Sequence, residues 1–452
     1  VDWDHPPAAG PEPAWAPPRA DAFTLGNGLR VLVVENHRLP LVSVRVVLDR
    51  AGGREDGAQL GLASLTADLL QEGAGDLDAR AFPEAVERLG ADLDVAAGTD
   101  ATTVWLDTLA STFDDSIALV AQLLRAPALT DADFARVQAD ALADLALRAQ
   151  EPRRVAALVF DREVLGGHPY GAPVTGFPAT VGALRADDVR GFWRAHYAPS
   201  TATVVVAGDV DRATVEASLR AHLGDWTATA PAAAVAPPAP PVPTPTLWLV
   251  DRPGAPQSVV MIGRPGLAAD DPRVITAEVV NTAIGGSFAS RLNTRLREEL
   301  GYTYGIYASF WRGRWAGTWA ASSSLKTEHT VAGLREALAL IDVARREPMP
   351  PDELHKTQQL MTRQLPQAFE TDRAIAGELA GLVSDGLPAD WYQGYADAVR
   401  AVTATAARDL VADAWRDLSI VVVGDRRVIG DGLAGLGLPV VIVDADGEPL
   451  EP

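Results

Sequence analysis

The sequence predicts an α+β fold built from one αβ unit used twice. Three observations predict it. The hydrophobic period switches between two and about 3.6 along the chain. A Pro/Ala segment divides the chain near its middle. A similar strand-and-turn string closes each half, TATVVVAGDVDR at 201–212 and DLSIVVVGDRRV at 417–428. With 452 residues and 48% hydrophobic content, the chain can bury a large core and fill two to four ordinary domains.

The elements follow in order. Residues 1–21 are Pro/Ala-rich and read as an extended leader. FTLGNGLRVLVVEN (23–36) reads as strand, Asn-Gly turn and strand, and LVSVRVVLDRAG (41–52) as a further strand. GLASLTADLLQEG (61–73) switches to the helical period, with Leu62, Leu65 and Leu69 on one face and Gly73 as the stop. Residues 22–226 form the first domain. The segment 227–245 (TATAPAAAVAPPAPPVPTP) cannot pack as a helix or central strand, because proline fixes φ and lacks an N–H, so it reads as a semi-rigid linker. Residues 246–452 form the second domain. In it, Leu292, Leu296 and Leu300 place a helix on the core before Gly301. From Tyr302 the chain alternates as a strand, with Tyr302, Tyr304, Ile306, Ala308 and Phe310 on one face. Trp311, Trp315 and Trp319 read as core or interface anchors on two strands joined by a Gly-containing turn.

Composition excludes several function classes. A net charge of −21 repels phosphate backbones, so nucleic acid is not the expected partner. The absence of cysteine removes disulfides, thiol catalysis and thiolate metal sites. No uninterrupted apolar run reaches membrane-spanning length. No serine sits in a nucleophile-elbow context. Gly285 and Gly286 follow a helical segment, not a strand, and so lack the setting of a nucleotide-binding turn. The seven histidines are scattered, with no two three or four apart. The absence of cysteine and the Pro-rich start favour export to a bacterial periplasm, with the cytoplasm as the alternative.

Several strings, taken in order, resemble one family: FTLGNGLRVLVVEN (23–36), GLASLTADLLQEGAG (61–75), LGGHPYGAPVTG (165–176), FWRAHYAPSTATVVVAGDV (192–210) and GGSFASRLNTRLREELGYTYGIYASF (285–310). The chain is identified as a member of the M16 peptidases, the group of pitrilysin, insulin-degrading enzyme and the mitochondrial processing peptidase. The resemblance covers roughly residues 22–445 and implies two LuxS/M16-peptidase-like αβ domains forming half of a clamshell. Each domain is expected to hold a mixed, mostly antiparallel sheet with helices on one side.

In that family a helix after a Gly-Leu-Ala string carries His-x-x-Glu-His. Its two histidines bind zinc, its glutamate acts as general base, and a later carboxylate completes the site. Here the three motif positions hold Ser64, Ala67 and Asp68, and the later carboxylate falls at Asp144. One hydroxyl and two carboxylates without a base make a poor zinc set, so no metal or cofactor is assigned to this chain. The resemblance further implies that Arg297 and Tyr304 reach a peptide held at a zinc site, the arginine as a fork of donors and the tyrosine toward a developing oxyanion. It also places Ala96, Ala97 and Gly98 on a sheet edge where a peptide strand is added. Together these imply the non-catalytic half of a heterodimer whose His-x-x-Glu-His partner brings the zinc. The alternative is a peptide-binding or scaffold protein of the same fold.

Overall fold

The computed structural model describes residues 15–54, 57–229 and 235–450. Residues 1–14 of the expected leader and 230–234 of the expected linker lie outside them. Residues 15–20, 227–229 and 235–246 carry no helix or strand.

Two six-stranded sheets form the frame. The first contains β1 (Asp21–Thr24), β2 (Arg30–Glu35), β3 (Leu41–Asp49), β4 (Asp92–Ala97), β5 (Ala101–Leu109) and β6 (Ala202–Gly208). Its order is β1-β2-β6-β3-β5-β4. The second contains β7 (Leu247–Asp251), β8 (Gln257–Gly266), β9 (Thr303–Arg312), β10 (Gly317–Lys326), β11 (Ser419–Gly424) and β12 (Val440–Val443), in the order β12-β7-β11-β8-β10-β9. Five strands correspond one to one. In each sheet the closing strand, β6 or β11, runs parallel to the first long strand and antiparallel to the next. The repeated VVV strings therefore occupy equivalent positions inside the two sheets. The sixth strand differs: β1 pairs antiparallel with β2, whereas β12 pairs parallel with β7.

Helices cover both faces of each sheet, not one face as expected, and the second cover is exchanged between the halves. The Pro152–Leu165 helix leaves the first half and lays Val155, Val159 and Phe160 on Trp248, Val259 and Val421 of the second sheet. The Asp372–Asp385 helix returns from the second half and lays Ile375, Ala376 and Leu379 on Val34, Val47 and Val205 of the first. Burial of each large apolar side chain here contributes about 2 kcal/mol. Covered faces explain why β6 reads as an apolar run and why β3 is buried along its length, even at Ser43 and Arg45.

A buried polar knot ties the halves together. Tyr170, from the HPYG string, donates its hydroxyl to both oxygens of Asp100, at 2.6 and 2.7 Å. The Arg314 main-chain N–H donates to the same carboxylate at 3.2 Å. The Arg314 guanidinium bonds Asp49 at 2.7 Å and the Ser384 carbonyl at 2.8 Å, at the end of the exchanged helix. A cation at a helix C-terminus is favoured by the helix dipole. Burial, with the Asp100 carboxylate beside it, pushes the Tyr170 hydroxyl pKa up, so it remains a donor.

Candidate functional site

The Leu62–Leu70 helix begins at Gly61, whose φ of +97° suits glycine, and is buried on nearly every side. Leu62, Leu65, Ala67 and Leu69 pack into the first core. Ser64 and Asp68, four residues apart, share the remaining face. They look into a cleft of about 510 Å³ whose opposite wall carries Asp144, from the Asp131–Arg148 helix. The fold thus brings together three of the four positions read from the sequence. Ala67, at the position of the general base, is turned into the core.

The cleft acids are not simply solvated, as two acids on a surface helix ordinarily are. Arg154 grips Asp144 with two hydrogen bonds, at 2.9 and 3.3 Å, and holds its pKa below the usual carboxylate value. Glu72, two residues past the cleft helix, pairs with Arg136 of the Asp131–Arg148 helix. Asp68 has no hydrogen bond or ion pair to its carboxylate among the described residues. Water reaches it, yet the surrounding protein and then Asp94, Asp144 and Glu72 raise its pKa to about 6. Two of the cleft acids, Asp144 and Glu72, are thus each paired with an arginine. The donor set is one hydroxyl, one isolated carboxylate and one carboxylate already committed to Arg154. It does not fit zinc. Among the described residues no group of three or more His, Asp or Glu side chains is arranged to hold a metal ion. Sequence reasoning missed Arg136 and Arg154, because no periodicity connects Arg154 with Asp144 across the helix break at 149–151.

Beside the cleft, β4 forms one edge of the first sheet, as read from the resemblance. Ala96 and Ala97 end the strand, and Gly98 turns the chain, its N–H bonded to the Ala101 carbonyl at 2.8 Å. The turn is held close by Gly52, where an added Cβ would lie 2.5 Å from the Asp100 backbone.

In the second half, Leu292 and Leu296 are fully buried as expected, but the helix widens to π geometry over Thr294–Glu299, the turn that carries Arg297. The Arg297 guanidinium lies 4.3 Å from the Phe288 ring centroid and pairs with Glu298 at 3.2 Å. Tyr304 departs from the expected strand face. Ile306 pairs with Ser323 and Thr303 with Leu325, so β9 carries one extra residue between them. This β-bulge turns Tyr304 outward to 90% exposure, while Ile306 and Ala308 stay buried. Two hydroxyls pin it: Thr303 accepts from the Gly305 N–H at 3.0 Å, and Ser323 donates to the Gly305 carbonyl at 2.9 Å. No hydrogen bond or cation–π contact joins Arg297 to Tyr304 among the described residues. Of the three tryptophans, Trp319 is fully buried against Trp415, whereas Trp311 is exposed at 42%.

Two family models match the chain. One, described as Insulinase (Peptidase family M16), matches residues 30–175 and contains the cleft helix. The other, described as Peptidase M16 inactive domain, matches residues 183–361 and contains Arg297 and Tyr304. The chain belongs to the M16 family. Relatives of this M16 chain include an uncharacterized zinc protease of Streptomyces coelicolor, 29% identical over 293 residues, or 63% of each chain. They also include YmxG of Helicobacter pylori, named a non-peptidase homolog, 24% identical over 278 residues that span 61% of this chain and 64% of that one. The matches thus span less than two thirds of either relative. Among solved structures, a peptidase M16 inactive domain from Pseudomonas fluorescens superposes with a TM-score of 0.83 at 23% identity, covering 90% of this chain and 98% of that one. The first half of the periplasmic protease PqqL from Escherichia coli superposes at 0.74 with 15% identity, covering 93% and 95%. At these identities the superpositions establish the M16 fold. No helix among the described residues is long and apolar enough to cross a membrane.

Proposed function

We propose that this chain is the non-catalytic subunit of a two-chain M16 peptidase. A partner bearing His-x-x-Glu-His supplies the zinc, and this chain supplies half of the chamber wall together with Arg297 and Tyr304. The observation that carries the reading is the contrast in availability. The acids at the zinc-motif positions are compensated internally or isolated, while Tyr304 is turned fully outward by a bulge that the fold holds with two hydroxyls. An exposed phenol can donate to a carbonyl oxygen as negative charge develops on it. The Arg297 guanidinium can hold a peptide carbonyl or carboxylate with its planar fork. The reaction is hydrolysis of peptides small or unfolded enough to enter the chamber, in an exported compartment such as the periplasm.

The test compares peptide cleavage by this chain, by an M16 chain with an intact His-x-x-Glu-His motif, and by the two mixed. Cleavage that requires the mixture and stops with chelator supports the proposal. A mixture that assembles and stays silent removes it. The second reading, a scaffold or peptide-binding protein without a catalytic part, is favoured by the capped centre of the β4 edge, where Asp94 and Gln71 hold the Val95 N–H and carbonyl. Under that reading Arg297→Ala changes no activity.

A further inference from the structure

The β4 edge is closed at its centre by the protein's own side chains. In an antiparallel sheet, alternate residues of an edge strand turn both backbone groups away from the neighbouring strand. Gly98 bonds inward to β5, so the outward positions are Leu93, Val95 and Ala97. At Val95 both outward groups are taken. The Asp94 carboxylate accepts from the Val95 N–H at 2.8 Å, and the Gln71 side-chain amide donates to the Val95 carbonyl at 3.1 Å. Gln71 stands just past the cleft helix and lines the cleft itself, so the caps link the altered zinc-motif cleft to the strand edge.

We propose that Gln71 and Asp94 form a latch that keeps a peptide strand from extending the first sheet across Val95. An added strand needs the N–H and C=O of consecutive outward residues, with side-chain fit secondary. Small residues at Ala96, Ala97 and Gly98 leave room beside the edge, but the central pair of hydrogen bonds is unavailable until both side chains leave. Asp94 is exposed and Gln71 half-buried, and neither side chain is locked inside the core, so the closure is reversible. The inference rests on the reading of this wall as peptide-facing and assigns a β-strand-forming peptide as the ligand that the latch excludes.

The test uses the whole chain without a partner, so it is decided separately from the cleavage experiment. The probe is a fluorescein-labelled decapeptide of valine, threonine, serine and lysine, titrated by anisotropy. A second probe has the same sequence with alternate amides N-methylated, so it cannot pair. The Gln71→Ala/Asp94→Ala double variant is expected to bind the first probe about tenfold tighter than the unaltered chain, the worth of two freed hydrogen-bonding positions, with no gain for the second probe. Hydrogen exchange at the Val95 amide is a second readout. It should quicken in Asp94→Ala and stay slow in Asp94→Asn, which keeps an acceptor oxygen. No gain in binding, an equal gain for the N-methylated probe, or unchanged exchange in Asp94→Ala overturns the latch.

Discussion

Each sheet ends in an edge strand, β4 in the first and β9 in the second, and each edge is blunted by polar side chains in a different way. On β9, Asn293 accepts from the Ile306 N–H at 3.3 Å while its own amide holds the Phe288 carbonyl at 2.7 Å, and it is fully buried. Asn281 donates to the Ala308 carbonyl at 3.0 Å and accepts from the Trp319 indole at 2.9 Å. Asn293 belongs to the core, and Asn281 is half-buried and bonded to the fully buried Trp319. On β4 neither cap is locked inside the core, so both can leave. The second-half edge is therefore a fixed frame from which a bulge presents Tyr304, while the first-half edge is a closed surface capable of opening. An exposed strand edge invites unwanted pairing, and both solutions prevent it. Only the first leaves the edge available for use.

The largest effect that can break this comparison concerns what the fixed frame presents. In the mixed peptidase, Tyr304→Phe is expected to lower kcat by about a hundredfold, as loss of one oxyanion donor does, with unchanged thermal stability because the hydroxyl is exposed. Arg297→Ala should act in the same direction. Full activity in both variants would reduce β9 to a structural edge.

Next in size is the frame itself. Asn293→Ala leaves the buried Ile306 N–H and the Phe288 carbonyl without their partner, and urea unfolding should show a loss of about 2 kcal/mol. Gln71→Ala on the other edge uncovers a carbonyl that water can reach, and it should cost less than about 1 kcal/mol. Equal losses would mean that the β4 cap is as structural as the β9 cap.

The split between fixed and removable caps also marks what the sequence could tell. The two halves were legible because VVVAGD and VVVGD fill the same interior position of each sheet, and an apolar run bounded by glycine has few other homes. The convergence of Ser64 and Asp68 was legible because four residues on a helix make one face. The exchanged helices were not, since the apolar stripe of 152–165 says that a sheet lies beneath it but not which sheet. The outward turn of Tyr304 was hidden for a similar reason. Strict alternation puts it with Ile306, and only the pairing of Thr303 with Leu325 reveals the extra residue. Arg154 and Gln71 meet their partners across breaks in secondary structure, where neither period reaches.

A smaller effect than the Asn293 loss lies in the cleft beside the β4 edge. The Asp68 carboxyl titrates near 6 in the fold, against about 3.8 for a free side chain, because protein surrounds it and Asp94, Asp144 and Glu72 repel its charge. A pKa raised by folding means that the folded state holds the proton more tightly than the unfolded one. The ionised form therefore costs stability. That cost is absent below about pH 3.8, grows as pH rises toward 6, and is complete above it. Because water enters the cleft, the cost is about 1 kcal/mol, well below a fully buried value. Asp68→Asn should thus stabilise the chain at pH 7 and leave it unchanged near pH 3, as read by paired urea titrations. Asp94→Ala should capture part of the same gain by removing one repelling charge, while freeing the Val95 N–H. A gain in Asp68→Asn of equal size at both pH values would mean that packing of the amide, not relief of charge, stabilises the cleft.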